Sequence, residues 1–377
     1  MERLLAAVGD VNDRRTWSGT PYYFLRTAER RNILDRGLAL DPRRLHVHRL
    51  IWNFRLMLET GKYGGYQYSP DFLERLWDGH CSQTDKALIV NCFQLFPPSI
   101  VRNRRIKKWF FVDQTLRQSF EHYGPYLKVQ KSVRDSAIHD EREGYNAAEG
   151  IILHSHWAAE SVIHDYGIER QRVHVVVPGA NIDAEAHEEW RSRSVEKPLH
   201  DGMTKFVFVG RDWHRKGLDR LILAIDTATR SGFNCMLRVI GCVATDLPSH
   251  LRRVNNIEWL GHISKDRDSL AFLEAIGSCH VGCLLSRAEA GGISLREYHA
   301  LGLPVLGSTV GGCLDHMIRD ASVAVGPEID SHELAKLVIS LNYRGEKWKR
   351  LHSSAVAHVG DVLWDNSVQQ MQSFWGP

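Results

Sequence analysis

The second half of this chain alternates short β-rich runs with stretches of helical periodicity, and that alternation restricts the fold more than any other feature. The runs are KFVFVG (205–210), CMLRVIGC (235–242), IEWLG (257–261), HVGCLL (280–285), PVLGST (304–309) and SVAVGP (322–327). Between most of them lie segments such as LDRLILAIDTATRSG and DSLAFLEAIGSC, whose apolar residues recur at helical spacing. Strands that alternate with helices build βαβ units, hence a parallel sheet covered on both faces. In such open sheets the ligand lies at the carboxyl ends of the strands, so the loops after strands carry the chemistry.

The first half repeats the pattern less regularly. RLLAAVGDV (3–11), RLHVHRLIW (44–52), ALIVNCF (87–93), KKWFFVDQ (107–114) and GIILHSH (150–156) read as strands, with helical patterns around 21–31 and 134–147. At 377 residues the chain exceeds a single ordinary core. Two Rossmann-like α/β domains with a cleft between them are therefore expected. The polar run DAEAHEEWRSRSVEKPLHDGMT (183–204), broken by Pro198 and Gly202, reads as their connection. The expected boundaries are 1–184, a linker at 185–203, 204–360, and a terminal segment at 361–377.

Composition excludes several function classes. A net charge of +3 gives no global basic field, and no aromatic-basic repeat argues for nucleic acid. The seven cysteines are scattered and lack zinc-site spacing, so buried thiols in a reducing compartment are expected. MERLLAAVGD lacks the pattern of a signal peptide, and no apolar run is long enough to span a membrane. A cytoplasmic protein is the expectation.

The stretch SRAEAGGISLREYHALGLPV (286–305) concentrates the chemistry. RAEAGG is a loop at the end of a buried strand, and SLREYHALG is a helix stopped by Gly302 with Pro304 beyond. Gly291 and Gly292 let the backbone approach a ligand closely. The N–H groups of Ile293, Ser294 and Leu295 at the helix start form an anion site. Phosphate belongs at the glycines, with Glu289 reaching a group on one side of it and Glu297 on the other. Carboxylates accept hydrogen bonds from sugar hydroxyls, and a nucleoside diphosphate-sugar has a sugar at each end of its phosphates. The plainer alternative makes Glu297 a favourable charge in the first helical turn and Glu289 a surface residue. Upstream, FVGRDWHRKGLDRLILA places Arg211 and Lys216 in the loop after another strand, where two cations can clamp a diphosphate; a merely solvated basic loop is the alternative.

EAGGISLRE has the Glu-x7-Glu spacing of retaining glycosyltransferases of the GT-B fold, and HALGLPVLGS follows it as that family's Ala-x-Gly-x-Pro-Val segment does. With FVGRDWHRKGLDRLILA ahead of them, these motifs make the chain resemble glycosyltransferase family 4, most closely over 150–330. The resemblance implies that Arg211 and Lys216 hold the diphosphate, Glu297 the nucleotide ribose and Glu289 the donor sugar near its reacting carbon. Gly291, Gly292 and Ile293 would add backbone contacts, and LGHISK (260–265) would meet the base near His262 and Ile263. In the first half Gly19, within VNDRRTWSGTPYYF, stands where the family has a glycine loop, although the common double glycine is missing. Asp113 in FFVDQT stands where the family often has a His or Asp facing the reacting sugar; capping of the next helix is its alternative. LWDNSVQQMQSFW (363–375) would be the terminal helix that packs back on the first domain.

The family needs no metal and no cofactor beyond its nucleotide-sugar co-substrate. His154 and His156 in HSHW have no third ligand nearby, and Ser155 suits a helix cap. FPPSIVRNRRIKKWFF (96–111) combines apolar residues with Arg102, Arg104, Arg105, Lys107 and Lys108, so it is a candidate contact with anionic lipid or else a solvated basic loop. The expected activity is retaining transfer of a hexose to a glycan or lipid-linked acceptor, as in cell-surface polysaccharide or lipopolysaccharide synthesis, at the inner face of the membrane. A catalytically silent nucleotide-sugar-binding scaffold subunit, or an epimerase or phosphorylase on the same architecture, is the alternative.

Overall fold

A computed structural model describes residues 1–80, 86–123, 129–194 and 202–375. The chain folds as two units, Met1–Val177 with Val368–Pro377, and Pro178–Ser367.

The C-terminal unit contains six parallel strands: β9 (Thr204–Val209), β10 (Cys235–Ile240), β11 (Ile257–Gly261), β12 (Val281–Leu284), β13 (Val305–Ser308) and β14 (Ser322–Val325). Their numbering follows eight strands of the N-terminal unit. The spatial order is β11-β10-β9-β12-β13-β14, all pairs parallel. Connections run one way from β9 through β10 to β11 and the other way from β12 onward, so the strand order reverses between β9 and β12. At such a switch point the flanking helices diverge and leave a crevice at the carboxyl edge. Alternate residues feed opposite faces, as strand geometry requires. Phe206 and Phe208 pack against Leu221 and Ile225 of the Leu218–Arg230 helix, whereas Val207 joins Leu295 and Tyr298 on the other side.

In the N-terminal unit the strands are β1 (Arg3–Ala6), β2 (Gly9–Asp10), β3 (Arg36–Gly37), β4 (Ala39–Leu40), β5 (Leu88–Asn91), β6 (Lys107–Val112), β7 (Gly150–Leu153) and β8 (Val173–Val175). Six form a parallel sheet of order β3-β1-β5-β6-β7-β8, and β2 pairs with β4 antiparallel. The switch point lies between β1 and β5.

Three expectations need correction here. RLHVHRLIW is not a strand: Pro42–Leu45 forms one 3-10 turn and His46–Thr60 a helix. Its β-branched residues suggested extended chain, but its inward residues Leu45, Trp52 and Leu56 recur at helical spacing. The segment 96–111 is no apolar surface. Phe96, Ile100, Ile106, Trp109, Phe110 and Phe111 are all buried, and the Lys108 amine donates to the Asn103 and Ile106 carbonyls at 2.7 and 2.8 Å. Arg102, Arg104, Arg105 and Lys107 therefore stand on a solvated turn and strand edge. The expected linker, 185–203, holds a helix at Ala184–Ser194, on which Trp190 lies against Gly277; a Cβ there would approach the indole to 2.5 Å. The rest of that linker up to 201 falls outside the described residues.

The six described cysteines are free and buried, and burial raises the Cys242 thiol to about 11 and the Cys279 thiol to about 12. The last helix, Trp364–Trp375, brings Trp375 within 6.2 Å of Phe24 and 5.8 Å of Trp109, ring centroid to ring centroid. No helix among the described residues is long and apolar enough to cross a membrane.

One buried acid gives the N-terminal unit a pH signature. Glu141, fully buried, accepts from the Leu116 N–H at 3.0 Å with each oxygen and from the Tyr145 hydroxyl at 2.7 Å, and also receives the Tyr166 hydroxyl. Burial pushes its carboxyl up to about 8 against the pull of those donors. The unfolded carboxyl titrates near 4.5, so from there to about 8 the folded chain binds more protons, and stability falls as pH rises through that window. Glu141→Gln is expected to flatten this slope by on the order of a few kcal/mol, read from denaturant unfolding at about pH 5 and about pH 9. An unchanged slope would show that Glu141 is ionised in the fold.

Candidate functional site

Two loops meet at the β9/β12 switch point. The first, 210–217, leaves β9 through Gly210, where a Cβ would sit 2.5 Å from Lys216 Cδ; the bare glycine lets the lysine stem cross the strand end. It ends at Gly217, with φ +71°, whose missing Cβ would stand 2.0 Å from the Leu285 carbonyl oxygen. The second loop, 285–292, follows β12. Arg287 joins it to the first: its N–H donates to the Arg215 carbonyl at 2.7 Å, and its guanidinium makes a bidentate pair with Asp219 at 2.8 and 2.7 Å.

This packing places Glu289 beside two cations. Its Oε2 lies 3.2 Å from Arg215 Nη1 and 3.9 Å from Lys216 Nζ, and it accepts from Ser286 Oγ at 3.2 Å. Arg215 also donates to the Ala288 carbonyl at 2.7 Å and pairs with Asp212 at 3.2 Å. All three charged groups are largely sheltered from solvent, so their field is only weakly screened.

Beyond Glu289 the backbone turns through Gly291 and Gly292. A Cβ on Gly291 would lie 2.3 Å from His316 Nε2, and Gly292 takes φ +87° as the residue ahead of the Ile293–Ala300 helix. No side chain caps that helix. Of the three N–H groups expected to be available, Leu295 is already committed, donating to the Gly292 carbonyl at 2.9 Å. The N–H groups left over at the helix start are thus those of Ile293 and Ser294. The helix is fixed to both switch strands by Tyr298, whose hydroxyl accepts from the Val209 N–H at 2.9 Å and donates to the Cys283 carbonyl at 3.3 Å. Gly282 makes this possible, since a Cβ there would meet Tyr298 Cγ at 2.2 Å. Arg296 on the same helix donates to the Pro178 and Asp361 carbonyls at 3.1 and 2.9 Å, its pKa lowered by burial to about 10.

The other expected site residues fall into separate pairs. Glu297 is buried and forms an ion pair with Lys265, whose ammonium also lies 4.6 Å from the Phe272 ring centroid. Arg211 is exposed, with Nη2 at 3.3 Å from His262 Nε2, and Ile263 packs against the core. The structure therefore brings Lys216 to Glu289, Glu297 to the end of LGHISK, and Arg211 to its middle. Arg215 and Lys265 were not singled out in the sequence. Arg215 had one signal, its place beside Lys216, but neighbouring residues in a loop need not point the same way.

In the N-terminal unit, Gly19 (φ +89°) precedes the Thr20–Arg30 helix, and Trp17 and Ser18 before it also take positive φ, 50° and 58°. Three successive left-handed residues, two bearing side chains, store strain of the kind concentrated at ligand sites. Trp17 Nε1 donates to the Val8 carbonyl at 3.1 Å and its ring stands edge-on to Phe93, 6.0 Å away, at that unit's own switch point. Asp113 follows β6 directly. The cap of the Leu116–His122 helix is Thr115 rather than Asp113, and it accepts from the Gln118 N–H at 3.2 Å. Ser155 caps the His156–His164 helix, accepting from the Ala158 N–H at 3.2 Å. His154 is buried, and burial lowers its pKa to about 3.

The family model described as Glycosyl transferases group 1 matches residues 191–356, a span lying inside the C-terminal unit. Among curated proteins, the D-inositol 3-phosphate glycosyltransferase of Nocardia farcinica is 26% identical over 234 residues, 59% of this chain and 51% of that protein. The chain thus spans about half the length of the curated relatives it matches. Among solved structures, Anabaena HepE in complex with UDP and glucose aligns with a TM-score of 0.64 at 16% identity, covering 99% of both chains. WaaG, a glycosyltransferase involved in lipopolysaccharide biosynthesis, aligns with a TM-score of 0.63 at 14% identity, again over 99% of both. With the switch-point geometry and the matched motifs in one unit, the C-terminal unit matches the group 1 glycosyl transferases over 191–356, and the chain has the GT-B fold.

Proposed function

We propose that this protein transfers a hexose from a nucleoside diphosphate-sugar to a glycan or lipid-linked acceptor, with retention at the anomeric carbon. The observation that carries the reading is the convergence of Arg215, Lys216 and Glu289 beside a glycine-led helix N-terminus at the sheet's switch point. In this reading the diphosphate takes the place now held by the Glu289 carboxylate among the cations. Arg211 joins them, and the Ile293 and Ser294 N–H groups complete the cradle. Glu297 receives the ribose hydroxyls, the backbone near His262 and Ile263 meets the base, and Glu289 turns to the donor sugar. The N-terminal unit offers two candidates of its own, Gly19 for backbone contact with phosphate or acceptor and Asp113 for the reacting sugar.

The bond from the anomeric carbon to the diphosphate oxygen breaks, the acceptor oxygen bonds to the same face, and its proton passes to the leaving phosphate. Fixed cations and helix N–H groups can stabilise that leaving group, so metal is not required. The UDP held by HepE makes uridine diphosphate the first donor base to test. D-Inositol 3-phosphate and lipopolysaccharide-type glycans, after the relatives and WaaG, are the first acceptors. A role in surface-glycan synthesis at the inner face of the membrane follows if the acceptor is lipid-linked.

Calorimetry with uridine, guanosine and adenosine diphosphates, without metal and then with magnesium, tests the donor site. We expect tight, metal-independent binding of one of them. Glu289→Ala frees two cations, so its affinity for that diphosphate should be unchanged or higher, while turnover falls by about 10²–10³-fold. Unaltered transfer would remove Glu289 from the site. Diphosphate binding with no transfer to any acceptor would favour a silent nucleotide-sugar-binding subunit.

A further inference from the structure

The helix His46–Thr60 is amphipathic the wrong way round for a core helix. Leu45 and Trp52 hold it to the N-terminal unit and Leu56 is buried, with Trp52 5.6 Å from Tyr66 and the Asn53 side-chain oxygen accepting from the Gly64 N–H at 3.0 Å. The opposite face carries Val47, Leu50, Ile51, Phe54, Met57 and Leu58, spaced so that all six share one stripe. All are exposed, Val47 by 62%, Phe54 by 59% and Leu58 by 70%. Other exposed apolar side chains, such as Leu223, Leu314 and Val356, lie singly on other elements, whereas six contiguous ones on a single helix face mark an interaction surface.

Charge indicates what covers it. From residue 41 to 62 the sequence has five cations against two carboxylates; Arg43 pairs with Asp41 and Arg44 donates to the Arg75 and Asp78 carbonyls, which leaves Arg49, Arg55 and Lys62 against Glu59. At the start of the helix, Arg43, His46 and Arg49 line a cavity of about 450 Å³ together with Val8 and Tyr66. A second copy of the chain docked about a two-fold axis would bring these cations toward one another. An anionic lipid surface meets both features at once, apolar residues entering the acyl boundary and cations meeting phosphates.

We infer that this helix is a membrane-docking surface, lying flat in an anionic bilayer with its stripe in the acyl region and a lipid phosphate in the Arg43–His46–Arg49 cavity. Docking needs neither donor nor turnover, so it stands apart from the glycosyltransfer reading. It replaces the basic turn at 102–105 as the candidate membrane contact.

The test is sedimentation of the full chain with phosphatidylcholine vesicles, with and without phosphatidylglycerol, beside light scattering in solution. The wild type should partition onto phosphatidylglycerol vesicles at least ~10-fold better than onto phosphatidylcholine alone. Ile51→Gln/Phe54→Gln/Leu58→Gln should lose about 10-fold or more of that partition with unchanged circular dichroism, since these side chains touch solvent rather than core. Arg49→Glu/Arg55→Glu should lose the preference for anionic lipid, and Arg104→Glu/Arg105→Glu should retain it. Three results would each overturn the inference: no vesicle binding by the wild type, full binding by the triple variant, or a wild-type dimer in solution that the triple variant dissociates.

Discussion

Replacing Lys216 with alanine is expected to weaken nucleoside diphosphate binding by roughly 30-fold or more, while the corresponding nucleoside binds within about twofold of its wild-type affinity. The ammonium is sheltered, its stem guided over Gly210, and its nearest charged partner is Glu289 at 3.9 Å. In the proposed donor site, Lys216 and Arg215 are the cations that neutralise the diphosphate without reorganising the loop. Alanine removes one of them from a low-dielectric crevice where each charge counts for more than in water. It leaves the proposed base and ribose contacts untouched, because Glu297, Lys265 and the His262 loop lie on other elements. Calorimetry at two salt concentrations separates the possibilities. The wild type should lose diphosphate affinity with salt more steeply than the variant. Equal loss for nucleoside and diphosphate would mean that Lys216 supports the fold of the loop rather than the phosphate.

The second large effect concerns a residue with no functional group. Gly217→Ala should destabilise the C-terminal unit by roughly 3 kcal/mol or more and lower its unfolding midpoint by roughly 6–12 °C. Two costs combine. A non-glycine residue at φ +71° pays the left-handed penalty, and the new Cβ would lie 2.0 Å from the Leu285 carbonyl oxygen, a backbone atom that no rotamer change can move. Gly232 supplies the control. It also has positive φ, +86°, but nothing stands within 4 Å of its Cβ position, so Gly232→Ala should cost only about 1 kcal/mol. Diphosphate affinity should fall in Gly217→Ala as well, because relief of the clash separates the loop bearing Arg215 and Lys216 from the loop bearing Glu289. Equal thermal shifts in the two variants would sink the close-contact argument.

What could be read in the chain depended on how local the physical cause was. All six C-terminal strands and the Ile293–Ala300 helix were legible because pattern and turn residues act over a few positions; Gly302 at φ +71° ends that helix as its placement before Pro304 suggested. The loops carrying Lys216 and Glu289 were legible for the same reason, each following a buried strand. RLHVHRLIW failed because its apolar residues fit both a short strand and a helix, and only the packing of Leu45 and Trp52 chose. The stretch 96–111 failed because nothing in an apolar run tells which side of a sheet is covered.

The sequence by itself determined the two α/β halves, the loops that carry the charged residues, and the glycines that let backbone approach backbone. Which side chains meet was decided only by the tertiary structure. Arg215 rather than Arg211 reaches Glu289, Lys265 takes Glu297, and Leu295 closes its N–H on Gly292. Those choices rest on parallel pairing of β9 with β12, which brings together loops more than sixty residues apart. The direction of a loop side chain is set by that pairing and by the 2.0 Å approach at Gly217, neither of which leaves a trace in the order of residues along either loop.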